Sequence, residues 1–181
     1  MVPVLETPRL VLRALRDDDL DAYAAMLGDP KVVRYLGDGK PLDRGEAWRH
    51  LAMLVGHWAL RGYGMWAVTR RGNDTMIGRA GLFNPEGWPG FEIGWTFARS
   101  CWGQGYATEA ACRARDYAFE TLLRADAISV IHPDNAASIR VAEKIGARLE
   151  GRELVRGAQR LIYRVRSGRT AAPPPAAPRT P

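Results

Sequence analysis

The sequence predicts a mixed α/β (α+β) domain. A mostly antiparallel, seven-stranded sheet is flanked by about four helices. Three observations carry that prediction. The hydropathy period switches several times along the chain between about 3.6 and about 2. Glycine or proline marks many of the switches. The resulting order is strand, two helices, three strands, helix, strand, helix, two strands, which suits a sheet covered on both faces.

Leu10 to Arg13 reads as a short strand entered past Pro8. Asp17, Asp18 and Asp19 precede the apolar positions Leu20, Tyr23, Ala24 and Leu27, which marks a helix N-terminus, and Gly28-Asp29-Pro30 stops that helix. A short helix over Val32 to Tyr35 follows. Asp43 to Leu60 carries Ala47, Leu51, Leu54, Val55 and Trp58 as a second helical stripe. From Gly64 the period is that of a strand. Gly64 to Arg70 and Thr75 to Phe83 are joined by the turn residues Arg71-Gly72-Asn73-Asp74. Asn84 to Gly90, with its prolines and glycines, is a loop. Phe91 to Ala98 is the next strand, Tyr106 to Leu123 an Ala-rich helix, and Ala127 to His132 a strand. Asn135 to Ile145 is a helix that ends at Gly146. Arg148 to Val155 and Gln159 to Arg166 close the domain as a hairpin. The domain is expected over residues 4–167, and the Pro/Ala-rich residues 168–181 are expected to form a disordered tail.

Composition narrows the function classes. Of 181 residues, 46% are hydrophobic and 25% charged, an ordinary globular balance. No apolar run approaches the roughly 20 residues of a membrane span. Met1 to Arg9 lacks the basic region and apolar core of a signal peptide, so a cytoplasmic protein is expected. Cys101 and Cys112 are too few for a disulfide scaffold or a four-cysteine zinc site. His50, His57 and His132 form no HExxH pair, and no metal is expected. The net charge of +6 favours an anionic ligand, a phosphorylated cofactor before nucleic acid, because no dense Lys/Arg run is present.

The chemistry concentrates between Phe91 and Ala110. A strand there runs through a turn of small residues, Gly103, Gly105 and Ala107, into a helix start. Residues without bulk let backbone N–H groups approach a ligand. The first amides of a helix lack intrahelical partners, and with the helix dipole they suit a diphosphate. Two phosphate loops do not fit: there is no Gly-Lys-Ser/Thr ending, and Thr108 stands where a dinucleotide fingerprint needs its third glycine. A plain tight turn between strand and helix is the other reading of the same residues.

Trp102-Gly-Gln-Gly-Tyr-Ala107 is similar to the R/Q-x-x-G-x-G/A loop of the GNAT superfamily of acetyl-CoA-dependent N-acetyltransferases. The run from Trp102 to Ala110 resembles, more narrowly, the RimJ/RimL-type branch, the ribosomal-protein N-terminal acetyltransferase-like proteins. Glu6 to Arg13 resembles the opening strand of that branch, and His132 to Gly146 its N-x-x-S helix. The resemblance implies acetyl-CoA as cosubstrate, with its diphosphate held by Gly103, Gln104, Gly105, Tyr106, Ala107 and Thr108. It implies that the pantetheine arm pairs like an extra strand with Trp95, Thr96 and Phe97. It also implies an amine acceptor, a peptide N-terminus or a small molecule, and the possibility of a homodimer. Three positions depart from the superfamily pattern. Trp102 stands where many members have Arg or Gln, Ala142 where many have a tyrosine general acid, and Ala147 where an aromatic is common.

Within that resemblance, Glu92 is the candidate general base, and a solvent-facing carboxylate at a strand end is its bland alternative. Ser138 is the candidate partner of the leaving sulfur, or else an ordinary first-turn serine. Asn135 is placed to contact the pantetheine amide, to cap the helix, or to do both. A backbone N–H on a bulged strand is expected to face the oxyanion. Glu109 is expected to pair with Arg113 four residues on. The reaction implied is direct acetyl transfer to a primary amine, by first preference an N-terminal α-amine. A small-molecule amine or antibiotic, a non-catalytic acetyl-CoA sensor and a basic nucleic-acid module are the alternatives.

Overall fold

The computed structural model describes residues 1–168; the expected tail lies, from residue 169 on, outside the described residues. Eight strands form one sheet in the order β1-β2-β3-β4-β5-β6-β8-β7. They are β1 (Leu5–Glu6), β2 (Leu10–Arg13), β3 (Met65–Arg70), β4 (Asn73–Phe83), β5 (Glu92–Phe97), β6 (Asp126–Ile131), β7 (Arg148–Val155) and β8 (Ala158–Arg166). The expected class is right and the expected strand count is one short. β1 adds only two rungs against β2, too short a segment to show any period. Every pairing is antiparallel except β5 with β6, which is parallel and registers only Glu92 opposite Ile128.

Five α-helices cover the sheet: α1 (Leu20–Leu27), α2 (Pro30–Val33), α3 (Arg44–Arg61), α4 (Tyr106–Asp116) and α5 (Ala136–Lys144). α2 begins two residues before its expected start, because Asp29 accepts from the Lys31 amide and Pro30 occupies the first turn. α3 opens on a reciprocal cap. Asp43 accepts from the Glu46 amide at 2.7 Å, and Glu46 accepts from the Asp43 amide at 2.9 Å. Gly62, at φ 73°, ends it. The helix expected to run to Leu123 is α-helical only to Asp116 and widens into a π-type turn over Tyr117–Thr121. The hairpin turn between β3 and β4 is tighter than expected, since Arg70 already pairs with Asn73.

The two sheet faces hold two cores. One packs Leu10, Trp66, Ile93 and Ala127 with the small residues Ala110, Ala111, Ala114 and Ala142 of α4 and α5. The other packs Tyr23, Leu27, Leu51 and Leu54 of α1 and α3 against Met65 and Ala67. Alanines on α4 bring that helix close to the sheet, which fixes the loop before it. Among the described residues no helix is long and apolar enough to cross a membrane.

A buried ion pair ties the second core to the sheet. Arg13 on β2 donates to both carboxylate oxygens of Asp19, at 2.7 and 2.8 Å, with the Asp19 side chain 3% exposed. Those hydrogen bonds hold the Arg13 guanidinium above its ordinary pKa. Arg13 keeps Asp74, 62% exposed, as a second partner at 2.7 Å, so removing Asp19 takes away the buried half of its pairing. Asp19→Ala is therefore expected to lower unfolding free energy by about 3 kcal/mol, read as a lower urea midpoint at an unchanged m-value.

Candidate functional site

The site begins where β5 and β6 part. Phe91 accepts from the Ile128 amide at 2.8 Å. At the next position on β5 a side chain replaces the ladder. Ile93 accepts from the Ser129 hydroxyl at 2.7 Å. Across the gap, the Val130 amide donates to Oε1 of Glu92 at 3.2 Å. Alternation along a strand then directs the N–H and C=O of Trp95 into the opening. Glu92 and Ser129 thus stand in for missing rungs, and the backbone of Trp95 comes next with its own groups free to meet a ligand.

A cavity of about 650 Å³ lies at this opening, on the α1–α3 face of the sheet. It gathers Glu92, Trp95, Thr96, Asn135 and Ser138 of the expected site. Gly94 lines it, opposite Gly81 on β4, with the Phe83–Glu92 pair on one side and Arg79–Thr96 on the other. A Cβ on Gly81 would meet the Gly64 carbonyl oxygen at 2.5 Å, and one on Gly94 would meet Met65 Cε at 2.9 Å. A side chain at Gly81 would strike backbone, and one at Gly94 would have to displace the end of Met65.

Glu92 is buried, and Trp88 Nε1 donates to its Oε2 at 2.7 Å. Burial pushes its carboxyl up to about 7, although the Val130 amide, the Trp88 indole and the nearby Arg79 favour the charged form. A carboxyl poised there exchanges protons at neutral pH. Asn135 caps α5, its Oδ1 accepting from the Ser138 amide at 3.1 Å. The capping role is what this geometry displays. Ala142 is fully buried and brings no titratable group. His132 lines the cavity with Tyr35 tilted against it at 5.0 Å. Its Nδ1 accepts from the Asp134 amide at 3.1 Å, which assigns the neutral ring's proton to Nε2.

Phe97 and the residues of the glycine loop lie away from this cavity. The Phe97 side chain is buried in the core, and its carbonyl accepts from Trp102 Nε1 at 2.9 Å. Gly103 and Gly105 adopt left-handed φ values of 74° and 81°, which explains glycine at both. No side chain caps the start of α4. The amides of Tyr106, Ala107 and Thr108 have no intrahelical acceptor. Free amides at a helix start form a cradle of the kind that suits an anion, and the Gln104 side chain is turned away from it, its Nε2 donating to the Ser100 carbonyl at 3.1 Å.

Two expectations are corrected. Glu109 does not pair with Arg113. It accepts from Thr7 Oγ1 at 2.6 Å, the Arg9 amide at 3.0 Å and Arg9 Nε at 2.6 Å, a clamp across the molecule from the opening strand. The expected bulge in the Glu92 strand is absent. β4 and β5 pair in unbroken register, and the irregularity lies between β3 and β4. The room for a ligand comes from the parting of β5 and β6 instead.

Sequence reasoning missed Arg9, whose Nη1 donates to the Gln104 carbonyl at 3.0 Å and whose guanidinium lies 4.7 Å from the Tyr106 ring. It also missed Arg79 and Arg156, which line the cavity. Arg9 stood inside the quoted opening strand, so a signal existed. Nothing local marked the other two.

The Glu92 carboxyl makes stability depend on pH. Its folded value, about 7, exceeds the ordinary 4.5. Its contribution is therefore full below about pH 4.5 and is lost as pH rises through 7. Glu92→Gln is expected to remove a decline on the order of 3 kcal/mol over that window, measured as the wild-type-minus-variant difference in urea unfolding.

Comparisons with known proteins converge on one family. An Acetyltransferase (GNAT) domain model matches residues 9–148. The uncharacterised N-acetyltransferase YoaA of Bacillus subtilis is 31% identical over 157 residues, 83% of this chain and 86% of its own length. The crystal structure of an acetyltransferase from Agrobacterium tumefaciens superposes with a TM-score of 0.84 at 32% identity, covering 92% of this chain and 96% of that one. A ribosomal α-N-protein acetyltransferase, RimL, solved with coenzyme A, shares the fold with a TM-score of 0.75 at 19% identity, over 91% of this chain and 98% of its own. With a family model spanning most of the sequence, and the same fold in solved acetyltransferases, the chain belongs to the GNAT family of N-acetyltransferases.

Proposed function

We propose that the protein moves the acetyl group of acetyl-CoA directly onto a primary amine, by first preference the α-amine of a peptide N-terminus. The observation that carries this reading is the opening between β5 and β6, where the Trp95 backbone, the Glu92 carboxyl and Ser138 border one cavity. Acetyl-CoA supplies the acyl group as a thioester. The chain's residues do the rest. The Trp95 N–H and C=O extend the β5 ladder toward the amide-rich pantetheine. The uncapped amides from Tyr106 to Thr108 hold the diphosphate, with Gly103, Gln104 and Gly105 shaping the loop beneath it.

Glu92 accepts the proton the acceptor amine loses as its nitrogen bonds to the acyl carbon. The carbon–sulfur bond breaks, Ser138 donates a hydrogen bond to the departing thiolate, and the proton taken up by Glu92 passes through solvent to the sulfur, which leaves as the free thiol while Glu92 returns to its carboxylate. An α-amine with pKa about 8 is roughly a tenth neutral at pH 7, so a carboxyl near 7 is base enough. The absence of a tyrosine at Ala142 leaves Ser138 as the sulfur's partner on α5. Two free cysteines suit a reducing cytoplasm.

Calorimetric titration is expected to find one acetyl-CoA per chain. Gly105→Val, which forces a β-branched residue to φ 81°, is expected to weaken that binding at least about tenfold. With saturating acetyl-CoA, kcat from thiol release is expected to fall on the acid side of pH 7. Glu92→Gln is expected to remove that limb and lower kcat about 100-fold. Mass spectrometry of a peptide library incubated with labelled acetyl-CoA tests the acceptor. Labelled α-amines support the first preference, whereas label only on small-molecule amines overturns it. Bound carrier with no amine acetylated turns the reading to a sensor.

A further inference from the structure

Two cations that line the cavity, Arg79 and Arg156, have no carboxylate partner among the described residues. Arg79 stands on the same face of the sheet as Glu92, with the Gly81–Gly94 pair between them. Its Nε is buried and has no hydrogen-bond partner among the described residues. A guanidinium N–H left unmet away from water is costly, so such a group calls for an explanation. No carboxylate forms an ion pair with Arg79 among the described residues. Glu92, the nearby acid, is already engaged by Trp88 and Val130.

Arg156 lines the same cavity from the β7–β8 turn and lies 5.2 Å from the Trp88 ring. It too joins no ion pair among the described residues. Its φ of 49° is left-handed, at a turn position where Asn, Asp or Gly is usual. Keeping an arginine there strains the backbone, and such strain collects at binding sites. His50, also in the lining, adds no competing charge. Burial, then Arg79 and Arg156, hold it down to about 3. Leu27, Val33, Met53 and Phe83 add apolar wall, and the other charged lining groups are already engaged: Lys40 pairs with Asp38 at 3.7 Å, and Arg160 donates to the Gly37 carbonyl at 3.1 Å.

We infer, resting on the acetyl-transfer reading above, that the acceptor carries a carboxylate a few bonds from its amine, and that this carboxylate lies against Arg79 and Arg156 while the amine faces Glu92. Arg79 pairs across with Thr96 and Glu92 with Phe83. Four residues of β5, roughly 13 Å, separate Thr96 from Glu92. Glu92 reaches back along it, its Oε1 3.7 Å from where a Cβ on Gly94 would lie, and Arg79 lines the same cavity, so an amino carboxylate with few bonds between its two charges suits the span. A guanidinium meets a carboxylate with paired, charge-assisted hydrogen bonds. The carboxylate takes no part in the bonds made or broken. Two unpaired guanidinium groups also repel a polycationic acceptor, which gives selectivity by exclusion.

The test uses the full chain, fixed acetyl-CoA and thiol release. One arm compares amino acids with their carboxamides and decarboxylated amines. The other compares C-terminally amidated dipeptides with Asp against Asn, or Glu against Gln, at the second position. The first arm reads a main-chain carboxylate and the second an acidic side chain. In one arm the carboxylate member is expected to exceed its neutral twin at least about tenfold in kcat/KM. Arg79→Gln and Arg156→Asn are each expected to shrink that ratio to about twofold or less, through KM, with acetyl-CoA affinity unchanged. Arg156→Asn sits on an exposed turn and suits its backbone, so it keeps the test open if Arg79→Gln fails to fold. Equal use of carboxylate and neutral twins in both arms, preference for polyamines, or an equal loss on both twins overturns the inference. So does bound acetyl-CoA with no carboxylate acceptor acetylated. A chain that fails to bind acetyl-CoA overturns the transfer reading first, and this one with it.

Discussion

One short parallel contact governs the site. β5 and β6 hold together only around Glu92 and Ile128. Beyond that point their backbones are too far apart to bond, yet polar groups at a strand edge cannot be left unmet inside a protein. Ser129 and Glu92 resolve the conflict by lending side-chain oxygens to the Ile93 and Val130 backbone. The cavity, the burial of Glu92 and the presentation of Trp95 all follow from strands that are neighbours but not partners. β8 keeps β6 in place from its other side through six registered pairs, so the opening is held by the sheet and not by a mobile loop.

The carboxyl near this opening is unusual because its surroundings pull in opposite directions. Burial alone would neutralise it. The Trp88 indole and Val130 amide favour its charge, and Arg79 adds a positive field without forming an ion pair. A close guanidinium would have driven the carboxyl well below neutrality and left it a weak base. The Gly81–Gly94 pair separates the two groups on one sheet face, with only the end of the Met65 side chain packed against Gly94. That spacing leaves the carboxyl able to take a proton and the guanidinium able to take an anion.

How much of this was legible in the sequence depends on range. Elements of regular period, such as α3 with its Asp43–Glu46 cap, are local properties and were read within a residue or two. β1 was missed because two residues carry no period. The π-type turn at Tyr117 was missed because the Ala-rich stripe continues through it. Within the site, the glycine loop was legible, since positive φ at Gly103 and Gly105 constrains residue type directly. The partner of Glu109 was not. An i,i+4 rule looks along one helix, whereas Thr7 and Arg9 arrive from about a hundred residues away. Arg79 was invisible for the same reason, since its significance lies in what fails to reach it across three strands.

The same clamp bears on why the loop works with Trp102 where the superfamily pattern has Arg or Gln. The Trp102 indole is spent on the Phe97 carbonyl, fastening the end of β5 to the loop and leaving no charge there. Arg9 brings a guanidinium to the neighbouring position from β2's approach, bonded to the Gln104 carbonyl and stacked on Tyr106. Glu109 holds that guanidinium in place but also offsets its charge. On the proposed reading, the loop's hold on an anion therefore rests chiefly on backbone amides at a helix start, whose orientation is fixed before any ligand arrives. Positive charge here orders the loop, through Arg9 on the Gln104 carbonyl and Glu109, and a tryptophan at 102 leaves the helix-start amides in place as donors.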